Sequence, residues 1–175
     1  VPLNAQASLM DMLRGVVIAS GNDASKALAE HIGGSEAGFV AMMNAEAAKL
    51  GLTRTHFENA AGMPHPNHKA SARDLAVLAQ AIIRNSAEYY PIYAEREFTY
   101  NKIKQGNRNA LLYTDPSVDG LKTGHTEEAG YCLTASAKRN GLRLISVIMN
   151  TSSAQARADQ TRVLFNWGFA NFEQA

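Results

Sequence analysis

With 175 residues, 46% hydrophobic and 19% charged, the chain has the length and composition of one folded domain with a real core, which excludes a disordered tail. Seventeen basic and sixteen acidic residues leave a formal net charge of +1 with no block of like charge, which argues against nucleic acid as a partner. A single cysteine, Cys132, excludes an internal disulfide framework, and neither a signal peptide nor a run long enough to cross a bilayer is present.

In chain order, Leu9, Leu13, Val16 and Val17 recur at three- and four-residue spacing and predict an amphipathic helix over residues 8–19. Ser20 continues its inward stripe, Gly21 breaks the pattern, and Asn22 stands where a cap for the next helix is expected. That second helix, 23–32, ends at Gly33-Gly34. A third follows Ser35, with Phe39, Met42, Met43, Ala47 and Leu50 as its buried side, and stops at Gly51. Residues 59–69 hold Gly62, Pro64, His65, Pro66 and His68 and read as a loop. A fourth helix is expected over 71–85, then a polar, aromatic region without a defined element to about residue 109.

The last third changes period. Strands are expected over 118–124, 131–137 and 142–149, the last two joined by a hairpin at Asn140-Gly141. A closing helix over 153–172 presents Val163, Leu164 and Trp167 as its expected sheet-facing side, and Cys132, inside Tyr131-Cys132-Leu133, reads as a small buried hydrophobe. Helices, then an antiparallel meander, then a covering helix predict a single α+β layered domain.

Two short patterns carry chemistry: Ser20-Gly21-Asn22 at a break between helices and Lys122-Thr123-Gly124 in the first strand of the meander. Taken singly, the first reads as helix capping with Ser20 on backbone, and the second as a charge that protects an edge strand. Together, in this order, they resemble the second and third motifs of penicillin-binding proteins and serine β-lactamases. The surrounding text is similar to the serine-type D-alanyl-D-alanine carboxypeptidases among the low-molecular-mass penicillin-binding proteins. It matches at Ser20-Gly21-Asn22-Asp23-Ala24, Gly51-Leu52-Thr53-Arg54-Thr55-His56-Phe57, Ser71-Ala72-Arg73-Asp74 and Asn107-Arg108-Asn109. The longest match is Val118-Asp119-Gly120-Leu121-Lys122-Thr123-Gly124-His125-Thr126 with Ala129-Gly130-Tyr131.

The resemblance implies a β-lactamase/DD-peptidase-like domain that removes the terminal D-alanine from peptidoglycan pentapeptides through an acyl-serine. It implies β-lactam binding, no metal or other cofactor, and a periplasmic, inner-membrane-associated location. Ser20 resembles the serine that relays protons to the leaving amine, Asn22 the amide that orients substrate, and Lys122 the lysine that donates to that serine. Thr123, Gly124 and His125 resemble the strand that receives the peptide. Arg108 and Arg157 match arginines near the pocket for the terminal carboxylate, which a guanidinium fork suits; Arg157 reads equally as a surface arginine.

One part of the pattern is missing. The family's nucleophile and base lie in a Ser-x-x-Lys motif, and no lysine here has serine three positions before it; Thr99-x-x-Lys102 is the nearest imitation. Since the chain opens Val1-Pro2-Leu3, the expectation is a partial catalytic domain, 1–175, with the nucleophile segment upstream of Val1. The family's second domain and membrane anchor would then follow Ala175, and the fragment alone is expected to be inactive and to be poorly stable or associate, its sheet's inner face left exposed. His56, His65 and His68 imitate metal spacing but read as loop histidines. The rival readings are a β-lactamase or penicillin-binding endopeptidase, and a non-catalytic D-Ala-D-Ala-binding module.

Overall fold

The computed structural model describes residues 5–173. Four helices come first: α1 (Leu9–Val17), α2 (Asn22–Gly33), α3 (Glu36–Lys49) and α4 (Ala72–Asn85). Serines begin three of them, because Ser8, Ser35 and Ser71 each accept the backbone N–H three residues on, satisfying a donor that the first turn leaves open. The fourth departs from expectation. The cap of α2 is Gly21, with no side-chain bond, and Asn22 is the first helical residue, so its amide is not spent on capping.

Between α4 and the meander, a short 3₁₀ helix (Tyr90–Ala94) leads into a hairpin of β1 (Glu97–Tyr100) and β2 (Ile103–Gly106). Both residues of its turn, Asn101 and Lys102, have positive φ, 48° and 64°, the geometry that suits the right-handed twist of a tight hairpin. The one-turn α5 (Leu111–Thr114) then delivers the chain to β3 (Val118–Thr126), β4 (Gly130–Arg139) and β5 (Leu142–Thr151), antiparallel in the order β3-β4-β5. Helix α6 (Ala154–Asn171) closes the described chain.

The sheet is covered on both faces. Leu133, Ala135 and Ala137 of β4 pack with Leu111, Leu112, Val118, Ala158 and Phe165 on the α6 side. Leu121 and Ile145 pack with Ala79, Ile82 and Tyr90 on the α4 side. The face of α6 is a correction to the sequence expectation. Its buried positions are Arg157, Ala158, Thr161, Phe165 and Gly168, at three- and four-residue spacing, whereas Val163 is 69% and Trp167 55% exposed and Leu164 also faces outward. Small residues bring the helix close to the strands: a Cβ at Gly168 would stand 2.7 Å from Leu144 Cδ1. In α3, too, Met42 is half exposed and only Ala47 is fully buried.

Candidate active site

The two chemical patterns, a hundred and two residues apart, meet. Ser20 sits at the elbow between α1 and α2, where the N–H of Gly21 bonds Gly15 O at 3.0 Å and Ile18 is fully buried as an anchor. Ser20 takes a left-handed φ of 54°, and a Cβ on Gly21 would lie 3.3 Å from Gly15 O, so the turn asks for glycine beside the serine. The elbow turns the hydroxyl toward β3, and Lys122 Nζ donates to Ser20 Oγ at 2.5 Å and to Thr123 O at 2.9 Å.

Around this pair lies an open cleft of about 980 Å³. The strand β3 forms one wall; it pairs only with β4 among the described residues, so its other edge is free. Lys122, Thr123, Gly124 and His125 all line the cleft, and a Cβ on Gly124 would meet nothing nearer than Cys132 Cβ at 4.0 Å, which leaves the approach to the strand clear. His125 stacks on Tyr131 with centroids 3.8 Å apart, and its Nδ1 lies 3.2 Å from Gly130 O. Asn22 lines the same cleft, with its Nδ2 3.6 Å from Met63 Sδ.

Both arginines reach the site by different routes. Asn107 and Asn109 are buried, and Asn109 donates to Gly120 O at 3.1 Å while accepting from Leu111 N–H, so the segment is pinned to β3. Arg108 between them is exposed to the cleft. Arg157 is 6% exposed, donates to Gly124 O at 3.2 Å and lies 5.5 Å from the Tyr131 ring centroid; it is no surface arginine. No carboxylate lines the cleft among the described residues. Burial, and then the charges of Arg108 and Arg157, pull Lys122 down to about 8 from the ordinary 10.5. Burial likewise lowers Arg157. A site this rich in cations, with one hydroxyl shared by an easily deprotonated lysine, suits an anionic ligand and proton transfer.

Several cleft residues carry no signal in the sequence that marks them for the site. Cys132 is only half buried and walls the cleft, not the core: along β4 it alternates with Leu133, so the two side chains face opposite ways. Asn59 shapes the opposite rim, accepting from Ala61 and Met63 N–H and donating to Met63 O. The histidines of the loop have structural partners. His68 accepts from Glu58 N–H at 3.0 Å and meets the Phe57 ring edge-on, and burial lowers its pKa; His56 and His65 lie 3.3 and 3.7 Å from Glu58 Oε1.

Known proteins match this arrangement. The sequence profile of the D-alanyl-D-alanine carboxypeptidase family covers residues 1–153. The chain is 50% identical over 173 residues to D-alanyl-D-alanine carboxypeptidase DacA of Haemophilus influenzae, covering 98% of this chain and 44% of the relative. It is 44% identical to DacA of Escherichia coli, covering 96% and 42%. Its fold superposes on penicillin binding protein 5 of Haemophilus influenzae with a TM-score of 0.96, over 99% of this chain and 51% of that one. The ampicillin-bound penicillin-binding protein D2 of Listeria monocytogenes superposes with a TM-score of 0.86 at 33% identity, over 93% and 68%. The chain thus spans less than half the length of these two curated relatives. By profile, identity and superposition alike, it belongs to the D-alanyl-D-alanine carboxypeptidase family.

Proposed function

We propose that residues 1–175 are part of the catalytic domain of a serine D-alanyl-D-alanine carboxypeptidase of the cell envelope, and that this part supplies the proton-relay and substrate-binding half of the site. The observation that carries the reading is the 2.5 Å contact between Lys122 Nζ and Ser20 Oγ beside a free strand edge. In the reaction, a serine hydroxyl attacks the carbonyl of the penultimate D-alanine. The C–N bond breaks, the terminal D-alanine leaves as the amine, and water hydrolyses the ester. The attacking serine belongs to a Ser-x-x-Lys element that this sequence does not contain.

Ser20 passes a proton toward the leaving nitrogen, with Lys122 holding the hydroxyl and lending positive charge. Asn22 Nδ2 holds the substrate amide. Backbone groups of Thr123 to His125 pair with the extended peptide as an added strand, the mode that an open edge offers. The cations Arg108, Arg157 and Lys122 attract the terminal carboxylate, and the carboxylate of a β-lactam enters in the same way. The substrate is a peptidoglycan stem peptide; no cofactor or nucleic acid takes part. Among the described residues no helix is long and apolar enough to cross a membrane.

Intact-mass spectrometry after incubation with a penicillin tests this. The full-length protein should gain one penicilloyl group and the 175-residue chain none. A stable adduct on this chain would make Ser20 the nucleophile and overturn its role as proton relay, and an unmodified full-length protein would overturn the enzyme.

A further inference from the structure

Asn22, whose amide holds the substrate in the reaction proposed above, rests against a thioether. Among the described residues its side-chain amide has one hydrogen-bond partner: Nδ2 stands 3.6 Å from Met63 Sδ. Sulfur is a weak acceptor, so this bond holds the amide loosely and gives way when a carbonyl oxygen arrives.

The base of Met63 is fixed while its tip is open. Asn59 grips the backbone from both sides: Met63 N–H donates to Asn59 Oδ1 at 2.9 Å, and Asn59 Nδ2 donates to Met63 O at 2.9 Å. The residue as a whole is still 52% exposed, so small solutes reach the sulfur. The other five methionines lack this combination. Met12 is buried and Met10 half-buried. Met42 and Met149 are exposed but line no part of the cleft, and Met43 lines it half-buried. Met63 alone, among the described residues, joins exposure to a bond with a side chain of the site.

We propose that Met63 is a site of reversible oxidation by peroxide, and that its sulfoxide turns the enzyme down by capturing the Asn22 amide. The sulfur lone pair attacks one peroxide oxygen, the O–O bond breaks and an S–O bond forms. The hydroxide set free takes the proton from the new S–OH and leaves as water. Sulfur gives up two electrons and the peroxide gains them. The product carries an oxygen one bond beyond the sulfur, and that oxygen is a polar acceptor where the thioether was apolar. Asn22 Nδ2 then donates to it, and the carbonyl of a substrate or β-lactam has to compete for the donor. Methionine sulfoxide reductases return the thioether, one enzyme for each sulfoxide epimer, so the change can be undone. The inference rests on the role proposed for Asn22 and adds a chemical control over it.

The test exposes the full-length protein to hydrogen peroxide, removes the oxidant, and follows acylation by a fluorescent penicillin. Peptide mass spectrometry reads the oxidation at each methionine. Sulfoxide at Met63 should slow acylation about three- to tenfold, the worth of one hydrogen bond, and the two reductases together should restore the rate. Met63→Leu should acylate after peroxide as fast as it does before, although Cys132 and the other methionines meet the same oxidant. Met63→Gln, whose side-chain carbonyl stands in for the sulfoxide, should be slower than Met63→Leu with no oxidant at all. An equal loss in Met63→Leu would move the cause to Cys132 or Met43 and overturn the proposal. A Met63 sulfoxide that acylates at the full rate, or glutamine and leucine variants of equal rate, would do the same. A full-length protein that penicillin fails to acylate before any oxidation would instead sink the enzyme reading.

Discussion

Two charged groups on β3, three residues apart, live in opposite circumstances. Asp119 is matched on every side: Arg143 grips it with two bonds of 2.8 Å, and Tyr90 Oη donates to it at 2.9 Å. Arg143 also donates to the buried Ser136 Oγ at 2.6 Å, and its bond to Asp119 makes it hold its own proton more firmly than usual. Lys122, on the same strand, faces two arginines and no carboxylate, and loses its proton more readily than a free lysine. The first group is closed on itself and locks the strand to the layer beneath. The second is left with its charge unbalanced, which destabilises the chain alone and reserves the field for a visitor.

The sharpest way to break that contrast is to remove the unbalanced pair. Ser20→Ala and Lys122→Ala in the full-length protein should each slow penicillin acylation by roughly 10²–10⁴-fold, the usual worth of positioned proton transfer. Thermal unfolding should change little by comparison. Breaking the balanced group should do the reverse: Asp119→Asn is expected to lower stability by about 1–3 kcal/mol in a urea titration, because Arg143 keeps its charge and loses its fork. Acylation would fall only as far as the fold does.

Titration sharpens the comparison further. Lys122 is cationic below about 8, so carboxypeptidase activity should hold up to pH 7 and fall about tenfold by pH 9, well before an ordinary lysine would titrate. For stability the sign is opposite. The folded value lies below the 10.5 of an unfolded lysine, so between about 8 and 10.5 the unfolded chain binds more protons, and this group's contribution improves as pH rises through that window. Lys122→Met should therefore raise stability at neutral pH by about 1–2 kcal/mol while abolishing activity, as calorimetry on the same sample would report. The control is the exposed pair of Arg162 and Asp159, 2.8 Å apart within one helix: Arg162→Ala should shift stability by under about 0.5 kcal/mol.

How far the sequence reaches depends on how each residue is constrained. The helices and the three long strands are legible because burial imposes a period on them, and the loop at 59–69 because Gly62, Pro64 and Pro66 punctuate it. The pairing of Ser20 with Lys122 is legible only through resemblance, since nothing local to either residue announces a partner a hundred positions away. The hairpin β1–β2 escapes because its residues are mostly exposed and its turn, Asn101-Lys102, lacks the usual glycine. The outward face of α6 runs against expectation for a different reason. Size suggests Trp167 and Val163 for the sheet, but close approach of helix to strand favours Ala158, Thr161 and Gly168. Capping preference points Asn22 to the cap, and it stands inside the helix; an apolar neighbourhood points Cys132 to the core, and strand alternation puts Leu133 there instead. Exposed large apolar residues are spread over several elements, among them Leu9, Ile32, Met42 and Ile103, and on α6 Val163 and Trp167, the last against Phe172.

On the proposed function, the lysine and two arginines that line the cleft with no carboxylate among the described residues have a consequence for drug escape. Stem peptide and β-lactam would present the same anion to Arg108, Arg157 and Lys122, so weakening that attraction penalises the wall-trimming reaction and the inhibitor together.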